Sequence, residues 1–466
     1  MRRLWLLMLL ATALSPDALA QRQVETEQLR LAFDASGNLQ SAFACFPACV
    51  GDKVRLQQFG DTGVVVLPGA GAAAWQLTEQ AGEAELALRF ESGNGAVRTW
   101  RIPRRGYRLE LGLSGDGPLT LRSGESFRPR DAAGFGNWLE KSRYAVIHSG
   151  DVAQVGFDDT EAEPAPVDSW AGYRNRYWAL VASPPARATV RLKTAEGQLD
   201  AELEFTGGGS GDWSFYLGPI EPNALKRADP SLSKLLYAAL WFWLRWICFG
   251  MFYLLAGLQA VIPSWGLAVM AMSVAVNILM LPLSRIADRF QQQVNETEAR
   301  LAPELNRIKK NFKGEEQAAK ILALYKTERV HPLYSLKSMM GVAVVIPVFI
   351  GAFDMLAENI HLLNAGFLWI ADLSRPDELF RMPFRLPFFG AEFNLLPFLM
   401  TGLSVVASAL HRPLALDGEL RNRQVRNMLL LAFAFFVLFY TFPAGMVLYW
   451  TTNNLISVIK SLWARR

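Results

Sequence analysis

Two patterns of apolar and polar residues divide this chain. From residue 21 to about residue 222, short segments alternate apolar and polar positions with a period of two. "LRLAF" and "LQSAFA" flank "DASGN", and "AELALRF" and "AVRTWRI" flank "ESGNG"; both linkers have hairpin-turn chemistry. "YRLELGL", "RYWALVA", "ATVRLKT" and "LDAELEF" follow, separated by Gly, Pro, Asp and Ser. Many short strands without a helical period predict an all-β sandwich over residues 21–222.

After residue 232 the pattern becomes long apolar runs, at 265–284, 339–362, 393–410 and 428–463. "FPAG" (residues 442–445) breaks the last run; Pro and Gly together favour a reversal, which gives five spans. In residues 285–337 charges of both signs recur at helical spacing. This predicts two solvated helices, 285–311 and 315–328, joined at "FKGEE". A further apolar segment, 235–258 within 232–260, carries Arg245 at its centre and five Trp or Tyr residues.

The first twenty residues, "MRRLWLLMLLATALSPDALA", join Arg2 and Arg3 to eleven apolar-core residues and a small-residue end. Such a core is too short for a bilayer, which needs about 20 residues. Residues 1–20 therefore read as a secretory signal peptide cleaved after Ala20, and the sandwich as exported.

Charge then orients the helical half. Residues 285–337 hold eleven Lys or Arg, 411–427 hold four and the tail from Lys460 holds three, whereas 363–392 holds three against four acids. Positive loops stay in the cytoplasm, so one crossing at 265–284 follows an exported sandwich. Were 235–258 to cross as well, every loop would have the wrong sign. That segment is predicted to be an interfacial amphipathic helix. The fold class is thus an α+β multidomain membrane protein: an exported all-β sandwich, then a five-helix polytopic bundle over 265–463 with a cytoplasmic helical hairpin and a cytoplasmic C-terminus.

Composition agrees: 51% of residues are hydrophobic and 19% charged, the latter below the roughly 25% of soluble domains. A net charge of +4, without a basic stripe interleaved with aromatics, argues against direct sequence-specific nucleic-acid binding. Cys45 and Cys49 in "ACFPACV" fit either a local disulfide or two buried thiols. No Cys or His cluster accompanies them, so neither metal nor cofactor is expected. His148, Asp158 and Asp159 join no recognised motif, and Trp170, Tyr173, Tyr177 and Trp178 read as sandwich core and rim. No enzyme is indicated.

The candidate chemistry lies in the spans. Asn277, alone in "SVAVNILMLPLSR", is either an interhelical tie or a functional amide. Tyr449, Thr452, Asn453 and Ile456 share a face of the last span by i, i+3, i+4 spacing, and four consecutive polar residues, "TTNN", are unsuited to lipid. Ser404 and Ser408, four apart, either close helices together or line the same cavity. Asp354 is an ionisable residue inside a span, or one that reaches the exported interface, as Glu358 does.

Several ordered segments resemble the YidC-type insertases of the YidC/Oxa/Alb family. They are "SWG" opening a span that ends "MLPLS", "ALYKTERVHPL" in the charged hairpin, "LWIADL", "LLPFLM" and "FPAGMVLYWTTNNL". The resemblance covers residues 232–463, and the sandwich by architecture and position. It implies an insertase and chaperone of the bacterial inner membrane, without nucleotide or covalent intermediate. In such a protein a polar groove, open to cytoplasm and lipid, receives nascent membrane proteins from the ribosome, alone or with the Sec translocon. It further implies that Asn277, Asp354, Ser404, Ser408, Tyr449, Thr452 and Asn453 are the groove candidates.

Four departures stand out. The first apolar segment reads as cleaved rather than kept as an anchor. His331 replaces Asn in "VHPL". "YSLKSMMGV" lacks the family's Pro. Asn277 occupies the position of the family's groove arginine, and Arg285 and Arg289 lie about two and three turns toward the cytoplasm. Asp354 also stands where the family has an aromatic residue. The absence of the groove arginine suggests a specialised paralogue. The rival readings are a small-solute channel or carrier, and an assembly factor acting through the sandwich with the bundle as anchor.

Overall fold

A computed structural model describes residues 22–51, 54–59, 63–68, 74–115, 117–124, 127, 132–140, 143–148, 151–156, 164–167, 169–194, 201–328, 330–331, 336–410 and 418–463. The expected signal peptide, Asp158 and Asp159 lie outside these residues. The chain divides into two units: one holds the strands up to Ala238 together with Glu358–Asn364 and Phe384–Gly390, and the other holds the remaining helices.

The strand unit is a sandwich of two antiparallel sheets, with nine described strands in each. One runs in the order Arg22–Glu25, Leu29–Phe33, Leu39–Phe46, Val65–Val66, Leu119–Arg122, Ala201–Thr206, Ala188–Thr194, Ala165–Val167, with Arg55–Phe59 also on Leu39–Phe46. The other is a near-meander: Asp151–Gly156, Arg143–His148, Trp170–Arg174, Trp178–Ser183, Gly211–Pro219, Arg108–Leu113, Val97–Pro103, Glu85–Ser92, Trp75–Ala81. Alternation does what the period of two predicts: in Val97–Pro103 every second residue is buried, namely Arg98, Trp100 and Ile102. Rings from both sheets meet between them. Phe33 lies 5.4 Å from Trp100, Trp100 lies 5.3 Å from Phe215, and Phe205 lies 5.6 Å from Trp213. Trp170, Tyr173, Tyr177 and Trp178 are all buried.

Arg98 breaks the apolar pattern without leaving its charge unserved. Its guanidinium donates to the carbonyls of Ser36 and Pro68, each at 2.6 Å, and sits 4.4 Å from the Trp75 ring. Cys45 and Cys49 are joined in a disulfide, with Cα atoms 4.9 Å apart. Two short helices, α1 (Gly136–Leu139) and α2 (Pro222–Ala228), belong to this unit; Pro222 opens α2, and the Glu221 carboxylate caps it at the Ala224 N–H.

The segment Glu358–Asn364 is held by two arginines of the sandwich. Arg55 donates to the carbonyls of Leu363 (2.7 Å) and His361 (2.8 Å). Arg174, buried, donates to the Leu235 carbonyl and, at 2.8 Å, to Glu358. Phe46 meets the His361 ring edge-on at 5.2 Å. Burial, and secondarily the Arg55 charge, pulls the His361 imidazole down from 6.5 to about 4. A group whose folded pKa is depressed favours the docked state fully above its free value and loses that support as pH falls toward the docked value. Amide protection at Leu362 and Leu363, measured against the intrinsic exchange rate at each pH, is therefore expected to be full at pH 7 and to fall between about pH 6.5 and 4. His361→Gln should abolish that pH dependence.

The helical unit comprises α3 (Phe242–Val261), α4 (Trp265–Asn311), α5 (Gly314–Thr327), α6 (Leu336–Ala357), α7 (Leu396–Leu410), α8 (Gly418–Phe439) and α9 (Ala444–Trp463). Among its described residues, Phe242–Val261 and Trp265–Val294 are long and apolar enough to cross a bilayer; Val345–Ala357, Leu396–Leu410 and Val425–Phe439 are shorter apolar stretches. α9 is the hub, packing on α4, α6 and α7, while α3 lies against α4 and α6 and α8 against α7.

Three boundaries differ from the sequence expectation. The predicted interfacial helix starts at Phe242, not at 235, because Tyr237 adopts φ +53° and donates its N–H to Glu358. The apolar run 339–362 ends as helix at Ala357, where Glu358 turns to Arg174 and Asn359 caps the turn Ile360–Leu362. The first hairpin helix is no separate element: α4 runs unbroken for 47 residues through Pro282 and Pro303. A proline inside a helix removes one hydrogen bond without ending it when packing holds the axis.

Candidate functional site: the polar seam between α4 and α9

Ser264 caps α4, its hydroxyl accepting from the Leu267 N–H, and the chain then carries an almost wholly apolar helix to Asn277. Around that amide the surface is apolar. Val274, Ile278, Leu279 and Leu283 on α4, and Leu455, Ile459, Leu462 and Trp463 on α9, are exposed, as lipid-facing side chains are. An amide there must find its partners within the protein.

It finds them on α9. The Asn277 Nδ2 donates to the Ser273 carbonyl one turn back (3.0 Å) and to the Asn453 Oδ1. Its Oδ1 accepts from the Lys460 ammonium at 3.0 Å. The Tyr449 side chain is buried one turn before Asn453 on the same face of α9. Tyr449, Asn453 and Lys460 follow each other by four and seven residues, so all three share one stripe of α9. The result is a polar ladder, Asn453–Asn277–Lys460, that ties α4 to α9, with Tyr449 one turn before it on α9. The buried Ser273 hydroxyl, one turn before Asn277, has no partner.

The other candidates are placed differently. Thr452 is buried and donates to its own helix at the Leu448 carbonyl (2.8 Å), as Thr451 does to Val447 (2.7 Å); such back-bonding satisfies a hydroxyl locally. Ile456 is half-buried. Asn454, not singled out from the sequence, donates to the Met400 carbonyl at 2.8 Å and ties α7 to α9. Ser404 and Ser408 follow Met400 at four-residue steps and are half-buried. Asp354 is half-buried beside Phe353, whose ring meets Phe442 at the reversal before α9 (5.4 Å). Asn453 lies nine residues into α9 from Ala444, about 14 Å by helical rise, so Asp354 and the ladder occupy different levels.

Lys460 is the member that the sequence does not single out: in the sequence it is one of three basic residues from position 460 to the end. Its spacing from Tyr449 and Asn453 carried the signal, but only an established partner on α4 gives that spacing meaning.

Residues 257–466 match the family described as 60Kd inner membrane protein. A membrane protein insertase YidC of Cellvibrio japonicus is 30% identical over 334 residues, covering 69% of this chain and 54% of that protein. Its namesake from Syntrophobacter fumaroxidans is 28% identical over 316 residues, 65% of this chain and 54% of its own length. That of Ralstonia nicotianae is 27% identical over 412 residues, 81% of this chain and 68% of its own length. The chain spans about half the length of most curated relatives it matches.

Proposed function

We propose that this chain, which through residues 257–466 belongs to the 60Kd inner membrane protein family with the YidC-type insertases, is an inner-membrane insertase and chaperone. Its spans cross five times, with the sandwich in the periplasm and the hairpin of α4 and α5 in the cytoplasm. The α4–α9 seam is the slot in which a nascent membrane protein rests its polar segment while its apolar segment enters lipid. The observation that carries this reading is the ladder Asn453–Asn277–Lys460, set between exposed apolar surfaces of α4 and α9. Hydrocarbon charges several kcal/mol for each unpaired peptide group, in round terms about 4, so polar side chains partway through the bilayer lower the barrier to crossing. The ribosome and the Sec translocon would supply substrates from the cytoplasmic side.

Photocrosslinking from positions 277, 449 and 453 to ribosome-held nascent chains tests this. Adducts to the segment flanking the apolar stretch are the expected result. Absence of adducts at all three, together with solute flux through reconstituted protein, would favour a channel instead. If deleting the sandwich abolished function outright, the chain would act through that domain.

A further inference from the structure

On the reading of the α4–α9 seam as a polypeptide slot, we infer that Lys460 is the residue that sets its charge preference, favouring carboxylates in the passing chain, and that Asn277 is its positioning residue. Asn277 itself is occupied. Both of its amide hydrogens go to protein acceptors, the Ser273 carbonyl and Asn453, so it has no donor for a ligand unless the ladder breaks. Lys460 is the opposite case: an ammonium has three donors, and one goes to Asn277. The side chain is exposed, which leaves the remaining donors open to an arriving anion.

The direction of the side chain separates this from ordinary anchoring. A lysine in the last turn of an apolar helix normally extends its stem toward lipid headgroups. Here the ammonium is turned across the seam onto the side-chain oxygen of a residue on α4, where a chain passing between the helices meets it. Asn277 holds that position through its own two bonds, to its helix and to α9. Lys460 comes from the C-terminal turn of α9, where a cation is favoured by the helix dipole as well.

The test uses the full chain reconstituted in vesicles of phosphatidylethanolamine and phosphatidylcholine, and again with phosphatidylglycerol added. The probe is a single-span protein whose translocated leading segment carries aspartates, or asparagines at the same places; protease protection reports insertion. Lys460→Gln is expected to lower insertion of the aspartate probe about fivefold, the worth of one partly exposed charge pair, while sparing the asparagine probe. Lys460→Arg should restore it. Asn277→Ala should give a smaller loss, again confined to the aspartate probe, because the ammonium is present but unplaced. Equal loss on both probes, or no loss on either, overturns the assignment. A loss that requires phosphatidylglycerol and ignores the probe's charge assigns Lys460 to lipid phosphates and also overturns it. If the unaltered chain inserts neither probe, the slot reading itself fails and takes this assignment with it, an outcome distinct from those in which insertion proceeds and Lys460→Gln discriminates nothing.

Discussion

Arg174→Ala is expected to destabilise the sandwich unit by about 3 kcal/mol, because breaking a buried ion pair strands the surviving charge. The side chain of Arg174 is 5% exposed and that of Glu358 20%. One amino group serves the Leu235 carbonyl and the other the Glu358 carboxylate, whose second oxygen accepts from Tyr237. Removing the guanidinium leaves a buried carbonyl and a largely buried carboxylate with fewer donors, and frees Tyr237 from the φ +53° conformation that ends the unit. Amide exchange over Trp170–Arg174 and Trp178–Ser183 in the full chain would report the loss, and should quicken by roughly a hundredfold for that energy. Arg174→Lys keeps the charge but not the fork, so an intermediate effect is expected. Exchange unchanged in Arg174→Ala would show that the contact carries no stability.

The second large effect is expected at Gly266, in the first turn of α4. A Cβ built there would lie 2.1 Å from the Phe367 ring and 2.6 Å from the Phe367 Cβ. Phe367 cannot simply swing aside, because its backbone exchanges hydrogen bonds with Ile370 (2.8 and 2.9 Å) and Leu368 is held at φ +52°. The same loop caps α9: the Ala444 and Gly445 N–H groups donate to the carbonyls of Arg375 and Leu373. Gly266→Val must therefore move the loop or the helix start, a displacement of the overpacking kind that costs about 2–3 kcal/mol. It should also misregister α9 against α4. The expected readout is loss of an engineered disulfide between positions 277 and 453, formed in the parent and absent in the variant. Efficient formation in Gly266→Val would refute the coupling.

These two sites also mark where the sequence speaks and where it falls silent. The motif "SWG" was legible as a span opening: Ser264 does cap α4. Why glycine stands third was not, since its reason, Phe367, lies about a hundred residues away in the chain. Strand alternation located the core of Val97–Pro103, yet could not say that the buried member Arg98 would be satisfied by the Ser36 and Pro68 carbonyls. "FPAG" marked the reversal between α8 and α9 because Pro and Gly act on their own backbone. The apolar run ending at 362 misled for the converse reason: hydropathy does not register that Arg55 and Arg174 draw Glu358–Asn364 onto the sandwich. Asn277 was recognisable as an amide in need of a partner; that the partners are Asn453 and Lys460 is a fact of helix pairing.

The unbroken α4 has a mechanical consequence. From Asn277 to Asn311 it extends 34 residues, a rod of about 50 Å. Its first proline, Pro282, withdraws one hydrogen bond five residues beyond the amide and so provides a soft joint near the base of that arm. Whatever grips the charged hairpin at the far end holds a lever with its fulcrum little more than one turn from the ladder. Load applied to that hairpin therefore bends α4 first at Pro282, beside the Asn277–Lys460 bond.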